Sequence, residues 1–144
     1  MVMAEMAARF VTNQQWQILV EEARRAQASA YAPYSTYRVG AAGLTEDGSI
    51  VTGCNVENAA YLALHAEWNM VGAATLARSR LVAMVCVVGK PGVPAAPCGI
   101  CRQVLYEHAG PNLQILTSSG PVRLAALFPG AFGQETVAKD AGLD

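Results

Sequence analysis

The sequence predicts an α/β chain, a three-layer α/β/α sandwich built on a mixed sheet of about five strands. Three observations lead there. Apolar residues follow a helical period in some stretches and a strand pattern in others. One run, Leu81 to Val88, is apolar throughout and rich in valine, as a strand buried on both faces must be. Helical stretches lie before and after that run, and strand–helix–strand units favour parallel pairing with helices on both faces.

Each element has a local reason. The first residues read as a loose tail. Thr12, followed three residues on by Gln15, resembles a capping box. Behind it Trp16, Leu19, Val20 and Ala23 fall near the helical period, so an amphipathic helix is expected over about 13–29. Ala32-Pro33-Tyr34-Ser35 breaks it, because a residue before proline is pushed out of the helical region. Tyr37 to Leu44 reads as a strand, Glu46-Asp47-Gly48-Ser49 as a hairpin turn, and Ile50 to Val56 as the partner strand. A helix follows from about His65 to Leu76, then the Leu81–Val88 strand. Lys90 to Pro97 holds three prolines and a glycine and is expected to be a loop. Cys98 to Ala109 is the next helix, ended by Gly110-Pro111. Leu113 to Thr117 is a strand, Val122 to Leu124 a short edge strand, and a short helix is expected near 125–128. No repeat, linker or low-complexity tract interrupts the chain, so 1–144 is expected to be one domain.

Composition narrows the function. Of 144 residues, 53% are hydrophobic and only 15% charged, which is apolar for a monomer of this size. Either the core is large or other copies of the chain cover apolar surface. No apolar run is long enough for a transmembrane helix. Met1 to Met6 lacks the basic-then-apolar layout of a signal peptide, so the expected compartment is the cytoplasm. The formal net charge is −1, and the ten Lys and Arg residues are scattered. Nucleic-acid binders need a basic stripe to neutralise phosphates, so neither a nucleic acid nor a membrane is an expected partner. The four cysteines, Cys54, Cys86, Cys98 and Cys101, do not read as a disulfide framework without a secretory signal.

Two segments carry chemistry: His65-Ala66-Glu67 and Pro97-Cys98-Gly99-Ile100-Cys101. Each is expected to open a helix. Cys98 and Cys101, three apart, share one helix face. Free amides and the helix dipole at an N-terminus favour thiolates, the form that a metal needs. One histidine and two cysteines suit Zn²⁺ and leave a tetrahedral position open, which points to catalysis rather than to a structural site. A metal in such a site lowers the pKa of water bound to it. Glu67, beside the histidine, is the candidate proton carrier. A lone C-x-x-C also fits a redox pair or buried thiols. Cys54, Cys86 and His108 read as small buried thiols and a helix-end histidine, and Trp16 as helix packing.

The combination H-x-E…P-C-x-x-C is a signature of zinc-dependent deaminases that act on nucleobases. From about Tyr31 to Phe132 the chain resembles the small homotetrameric cytidine deaminases. The resemblance rests on Pro33 to Ala42, Thr52 to Ala59, Pro97 to Val104 and Leu127 to Gly133. It implies hydrolytic deamination of cytidine and deoxycytidine, with Zn²⁺ on His65, Cys98 and Cys101 and Glu67 as the catalytic carboxylate. It assigns Asn55 and Glu57 to the ribose and Tyr37 to the pocket wall. Phe132 would enter a neighbouring subunit's site and stack on the base.

The chain departs from that family's pattern at three places. His65 stands where the small enzymes usually have cysteine, and Trp68 where many have arginine. Two thiolates and a neutral imidazole leave a zinc site uncharged, so no arginine is needed to offset a third thiolate; the two changes read as one coupled exchange. The stretch from Glu57 to His65 is one residue shorter than expected, and Tyr61-Leu62-Ala63-Leu64 replaces the usual glycine-containing approach. Two rivals therefore stay open: a deaminase of modified cytosine nucleosides, such as a base-substituted cytidine or a blasticidin S-like compound, and a zinc-stabilised scaffold without activity.

Overall fold

The computed structural model of the chain describes residues 10–142; the expected loose tail lies outside that range. Helix α1 (Asn13–Ala28) begins at the capping box. The Gln15 N–H donates to Thr12 Oγ1 at 3.1 Å, and the Thr12 N–H donates to Gln15 Oε1 at 2.9 Å. Two amides that the helix cannot satisfy internally are thereby paired. Trp16, Leu19 and Ala23 form its buried face.

The main sheet contains β1 (Val39–Thr45), β2 (Ile50–Cys54), β5 (Leu81–Val88), β6 (Val93–Ala95), β7 (Gln114–Thr117) and β8 (Gly120–Arg123), in the order β2-β1-β5-β7-β8 with β6 beside β5. Only β5 and β7 run parallel; the other pairs are antiparallel. The expected mixed sheet is therefore present, with one more strand than anticipated. Outside it, β3 (Val56–Asn58) and β4 (Leu62–Leu64) form a separate hairpin.

Helices cover both faces. α1 packs on one face over Ala42, Leu44, Ala83, Val85 and Val87. On the other, α2 (Ala66–Leu76) and α3 (Gly99–Ala109) pack over Ala41, Met84, Cys86 and Ile115. Successive β5 residues thus feed alternate cores, which is why that strand shows no polar alternation. Two glycines let helices approach the sheet closely. A Cβ on Gly40 would stand 1.9 Å from the Ala23 carbonyl oxygen of α1. One on Gly53 would stand 2.3 Å from the Ala66 carbonyl oxygen and 2.5 Å from the Met70 amide nitrogen of α2.

Four expectations need correction. The Ile50–Val56 strand stops at Cys54, and the Tyr37–Leu44 strand starts at Val39, because Asn55 replaces the ladder there. Its Oδ1 accepts the Val39 N–H at 2.8 Å and its Nδ2 donates to the Tyr37 carbonyl at 2.8 Å. The Lys90–Pro97 loop contains strand β6. Pro94 is tolerated there because β6 lies at a sheet edge. The edge strand near Val122 is β8, ending at Arg123, and Leu124 instead opens the short helix α4 (Leu124–Leu127). A last helix, α5 (Gln134–Asp140), was not anticipated; it buries no residue and so carries no apolar period. Among the described residues no helix is long and apolar enough to cross a membrane.

Candidate active site

The N-termini of α2 and α3 converge on the same place. His65 is the N-cap of α2 and Cys98 the N-cap of α3, both with extended backbone and neither with a side-chain hydrogen bond to its own helix. An N-cap side chain normally turns back onto the first-turn amides. Here both turn toward each other instead. His65 Nδ1 lies 3.2 Å from Cys101 Sγ and 3.5 Å from Cys98 Sγ. All three potential ligand atoms fall within 4.8 Å of one another. A tetrahedral zinc with ordinary bond lengths separates its nitrogen and sulfur ligands by about 3.6 Å. The group matches that spacing and offers a borderline-soft donor set for a metal.

Glu67, in the first turn of α2, is 5% exposed. It lies against the thiols of Cys101 and Cys86. Burial foremost, then the Glu67 charge, pushes the Cys101 thiol far above its ordinary value. The same two causes, in the same order, raise Cys86. Without a cation, then, a thiolate at Cys101 is strongly disfavoured. A coordinated divalent metal inverts that preference and takes the thiol as its anion.

His65, Cys98, Glu67 and Cys86 line a cavity of about 320 Å³, together with Asn55, Glu57, Tyr37, Ser35, Ala63 and Ala95. That is within the range of small-molecule sites. Asn55 is buried, and besides bracing residues 37–39 it borders this space. Glu57 Oε1 accepts the Tyr34 and Ser35 N–H groups at 3.0 and 3.1 Å. Hydrogen bonding from Ser35, side chain then backbone, with a smaller backbone contribution from Tyr34, holds this carboxyl below the usual carboxylate range. Tyr37 is half exposed, its amide donating to Ser35 Oγ at 3.0 Å.

The structure thus brings six of the eight residues singled out from the sequence to the lining of one cavity, and a seventh, Cys101, meets His65 and Cys98 while itself fully buried. The eighth, Phe132, is not among its lining residues. It is 56% exposed, with its carbonyl oxygen accepting Gln103 Nε2 at 2.8 Å. The shortened Glu57–His65 segment is the β3–β4 hairpin, in which Glu57 pairs with Ala63 and Asn58 with Leu62. Its tight turn is closed by Tyr61 at φ +58°, a conformation unusual for a bulky side chain. Pairing across the hairpin keeps Glu57 beside the cavity in spite of the short connection.

Cys86 escaped the sequence reading as a neighbour of the site, and the contact that joins Trp68 to His65, two positions read there as one coupled exchange, was not foreseen. Cys86, 2% exposed, reaches Glu67 from β5 and donates its S–H to the Ala95 carbonyl at 3.0 Å. Inward alternation along β5 was its only sequence signal. Trp68 stacks on His65, with ring centroids 5.5 Å apart and planes 25° apart. Their spacing of three residues at a helix start was the available hint.

Comparison with known proteins agrees with this geometry. Residues 13–117 match the family model for the cytidine and deoxycytidylate deaminase zinc-binding region. The cytidine deaminase of Mycobacterium tuberculosis is 47% identical over 127 residues, 87% of this chain and 95% of that protein. That of Sporosarcina psychrophila is 38% identical over 123 residues, 81% of this chain and 90% of its own. The crystal structure of the M. tuberculosis enzyme superposes with a TM-score of 0.78 at 49% identity, covering 82% of this chain and 97% of that one. The structure of cytidine deaminase from Mycobacterium leprae gives 0.77 at 49% identity, covering 83% and 99%. With the family model spanning most of the chain and the M. tuberculosis relative aligned over nearly its whole length, this chain belongs to the cytidine deaminase family.

Proposed function

We propose that the chain is a zinc-dependent enzyme that hydrolyses cytidine and deoxycytidine to uridine and deoxyuridine with release of ammonia. The observation that carries this reading is the meeting of one imidazole, two sulfurs and a buried carboxylate at a cavity bordered by Asn55 and Glu57.

His65, Cys98 and Cys101 would hold Zn²⁺, which when bound would acidify water. Glu67 does the proton transfer. It takes a proton from the attacking water and delivers it to ring N3 as oxygen adds at C4; it then takes the proton left on that oxygen and delivers it to the exocyclic amine, which departs as ammonia as the C4 carbonyl forms. One water is consumed and one ammonia released. Asn55 keeps one N–H and one lone pair beyond its two backbone bonds, enough to bind a sugar hydroxyl. Both backbone bonds to Glu57 fall on Oε1, which leaves Oε2 to accept another. Tyr37 walls the sugar end.

The partner set is a small nucleoside and further copies of this chain, acting in pyrimidine salvage in the cytoplasm. Phe132, exposed and outside its own cavity, enters a neighbouring copy's cavity and stacks on the base, an interaction worth about 1 kcal/mol beyond burial. Exposed Tyr61, Leu62 and Leu64 on the hairpin support a homotetramer, since they leave apolar surface for other copies to cover.

The test is the loss of ultraviolet absorbance when zinc-loaded protein meets cytidine, deoxycytidine and base-modified cytidines. Turnover of the plain nucleosides is expected. Turnover of modified nucleosides alone would transfer the assignment to them. Bound zinc with no turnover of any cytosine nucleoside would leave a scaffold.

A further inference from the structure

The imidazole of a metal-binding histidine is ordinarily held in place from its far side, where the second ring nitrogen donates to a carboxylate, a carbonyl or a water. In this chain the near side is occupied, with Nδ1 directed at both cysteine sulfurs. Among the described residues no hydrogen bond holds Nε2. What touches the ring instead is the indole of Trp68, nearly parallel to it at 5.5 Å.

The indole itself is oddly chosen for a packing role. Its Nε1–H is buried and has no hydrogen-bond partner among the described residues. An unsatisfied buried donor destabilises the fold, a penalty that phenylalanine or leucine would not incur. Packing alone therefore does not account for tryptophan at this position. A broad flat face laid against the imidazole does.

We infer that Trp68 is a positioning residue for His65: its indole fixes the plane of the imidazole, and so the direction of Nδ1, by stacking rather than by a hydrogen bond to Nε2. The inference rests on the zinc site proposed above. It has a distinctive consequence: the effect of Trp68 depends on there being a ring at position 65. A thiolate has no plane to orient.

The experiment measures how fast a chromogenic chelator strips zinc from the protein, in the parent and in W68L, W68F, H65C and H65C/W68L. Leucine keeps apolar bulk without an aromatic face; phenylalanine keeps a face. Loss of an orienting neighbour typically costs a metal site about tenfold or more in affinity. W68L should therefore release zinc at least about tenfold faster than the parent, and W68F should stay within about threefold of it. Adding W68L to H65C should change release by less than about twofold, because the stacked pair is already gone. The visible spectrum of the cobalt(II)-substituted protein should be altered in W68L and parent-like in W68F.

W68L that holds zinc as tightly as the parent overturns the inference. So does a W68L effect of equal size in the parent and in H65C, which would mark Trp68 as structural support for the helix start. Should W68L not fold, W16F leaves Trp68 as the sole indole. Its fluorescence must then change when zinc is loaded, and unchanged emission overturns the inference. A parent that binds no zinc overturns both this inference and the proposed metal site, whereas a parent with one zinc per chain and an indifferent W68L overturns the inference alone.

Discussion

Helix α1 and helices α2 and α3 begin in opposite ways. At α1 the N-cap side chain is spent on its own helix: Thr12 and Gln15 satisfy each other's amides. At α2 and α3 the N-caps are His65 and Cys98, residue types that cap poorly, and neither forms a cap bond. Neither N-cap side chain takes up the first-turn amides, and the two side chains meet across the gap. The first helix start contributes stability; the other two give it up for a site. The contrast locates function at the two places where local helix rules are broken.

The sharpest way to break the comparison is Glu67→Gln. It should lower kcat/KM by at least about 10³-fold while zinc content stays at the parent level, since only proton transfer is removed. A variant retaining substantial turnover would detach catalysis from the start of α2. Next is Cys98→Ser, which converts a ligand into a good cap. The metal-free variant should be more stable than the metal-free parent by about 1 kcal/mol in urea, yet bind zinc poorly and show no turnover. A variant no more stable than the parent would mean that the α3 start gives up nothing.

The paired glycines sharpen the contrast. Gly53→Ala and Gly40→Ala each force a helix off the sheet, at a cost of about 1–3 kcal/mol. Only Gly53→Ala should also lower kcat/KM and speed zinc loss, because only it displaces the helix start carrying His65 and Glu67. Thr12→Ala should cost about 1 kcal/mol in urea unfolding with kcat/KM unchanged. The smallest expected effect is at the far end of α3. His108 Nε2 accepts the Leu81 N–H at 3.2 Å. Burial foremost, then Arg80, lowers its pKa, against an opposing contribution from Glu46. The folded chain thus favours the neutral ring. That contribution is complete above the ordinary imidazole pKa of about 6.5 and is lost as pH falls through the lowered value. Between pH 7.5 and 5.5 the parent should lose more stability than His108→Gln; equal losses would show that His108 does not contribute to the slope.

What the sequence made legible were features with a local cause. The Thr12 capping box, the unbroken apolar run of β5 and the pairing of Cys98 with Cys101 on one helix face all follow from spacing of three or four residues or from strand-length patterns. The start of α2 at His65 was readable for the same reason. Features that depend on distant partners were not. Strand β6 hides behind Pro94, acceptable only because the strand is an edge. The β3–β4 hairpin turns without glycine or proline, at Tyr61. Cys86 meets Glu67 only after β5 and α2 have packed, and no pattern within β5 distinguishes it from a core residue. Asn55 reads from the sequence as a polar residue ending a strand; its grip on residues 37–39 becomes visible only in the fold.

Asn55 also bears on how this cavity can change over generations. Because the same amide closes the end of the sheet and borders the cavity, mutation there tests folding and recognition at once, and few replacements pass both. Tyr37, half exposed and without a side-chain hydrogen bond among the described residues, is under no such double selection, and neither is the turn at 59–61. New substrate preferences in this lineage are therefore expected to accumulate around Asn55 rather than at it.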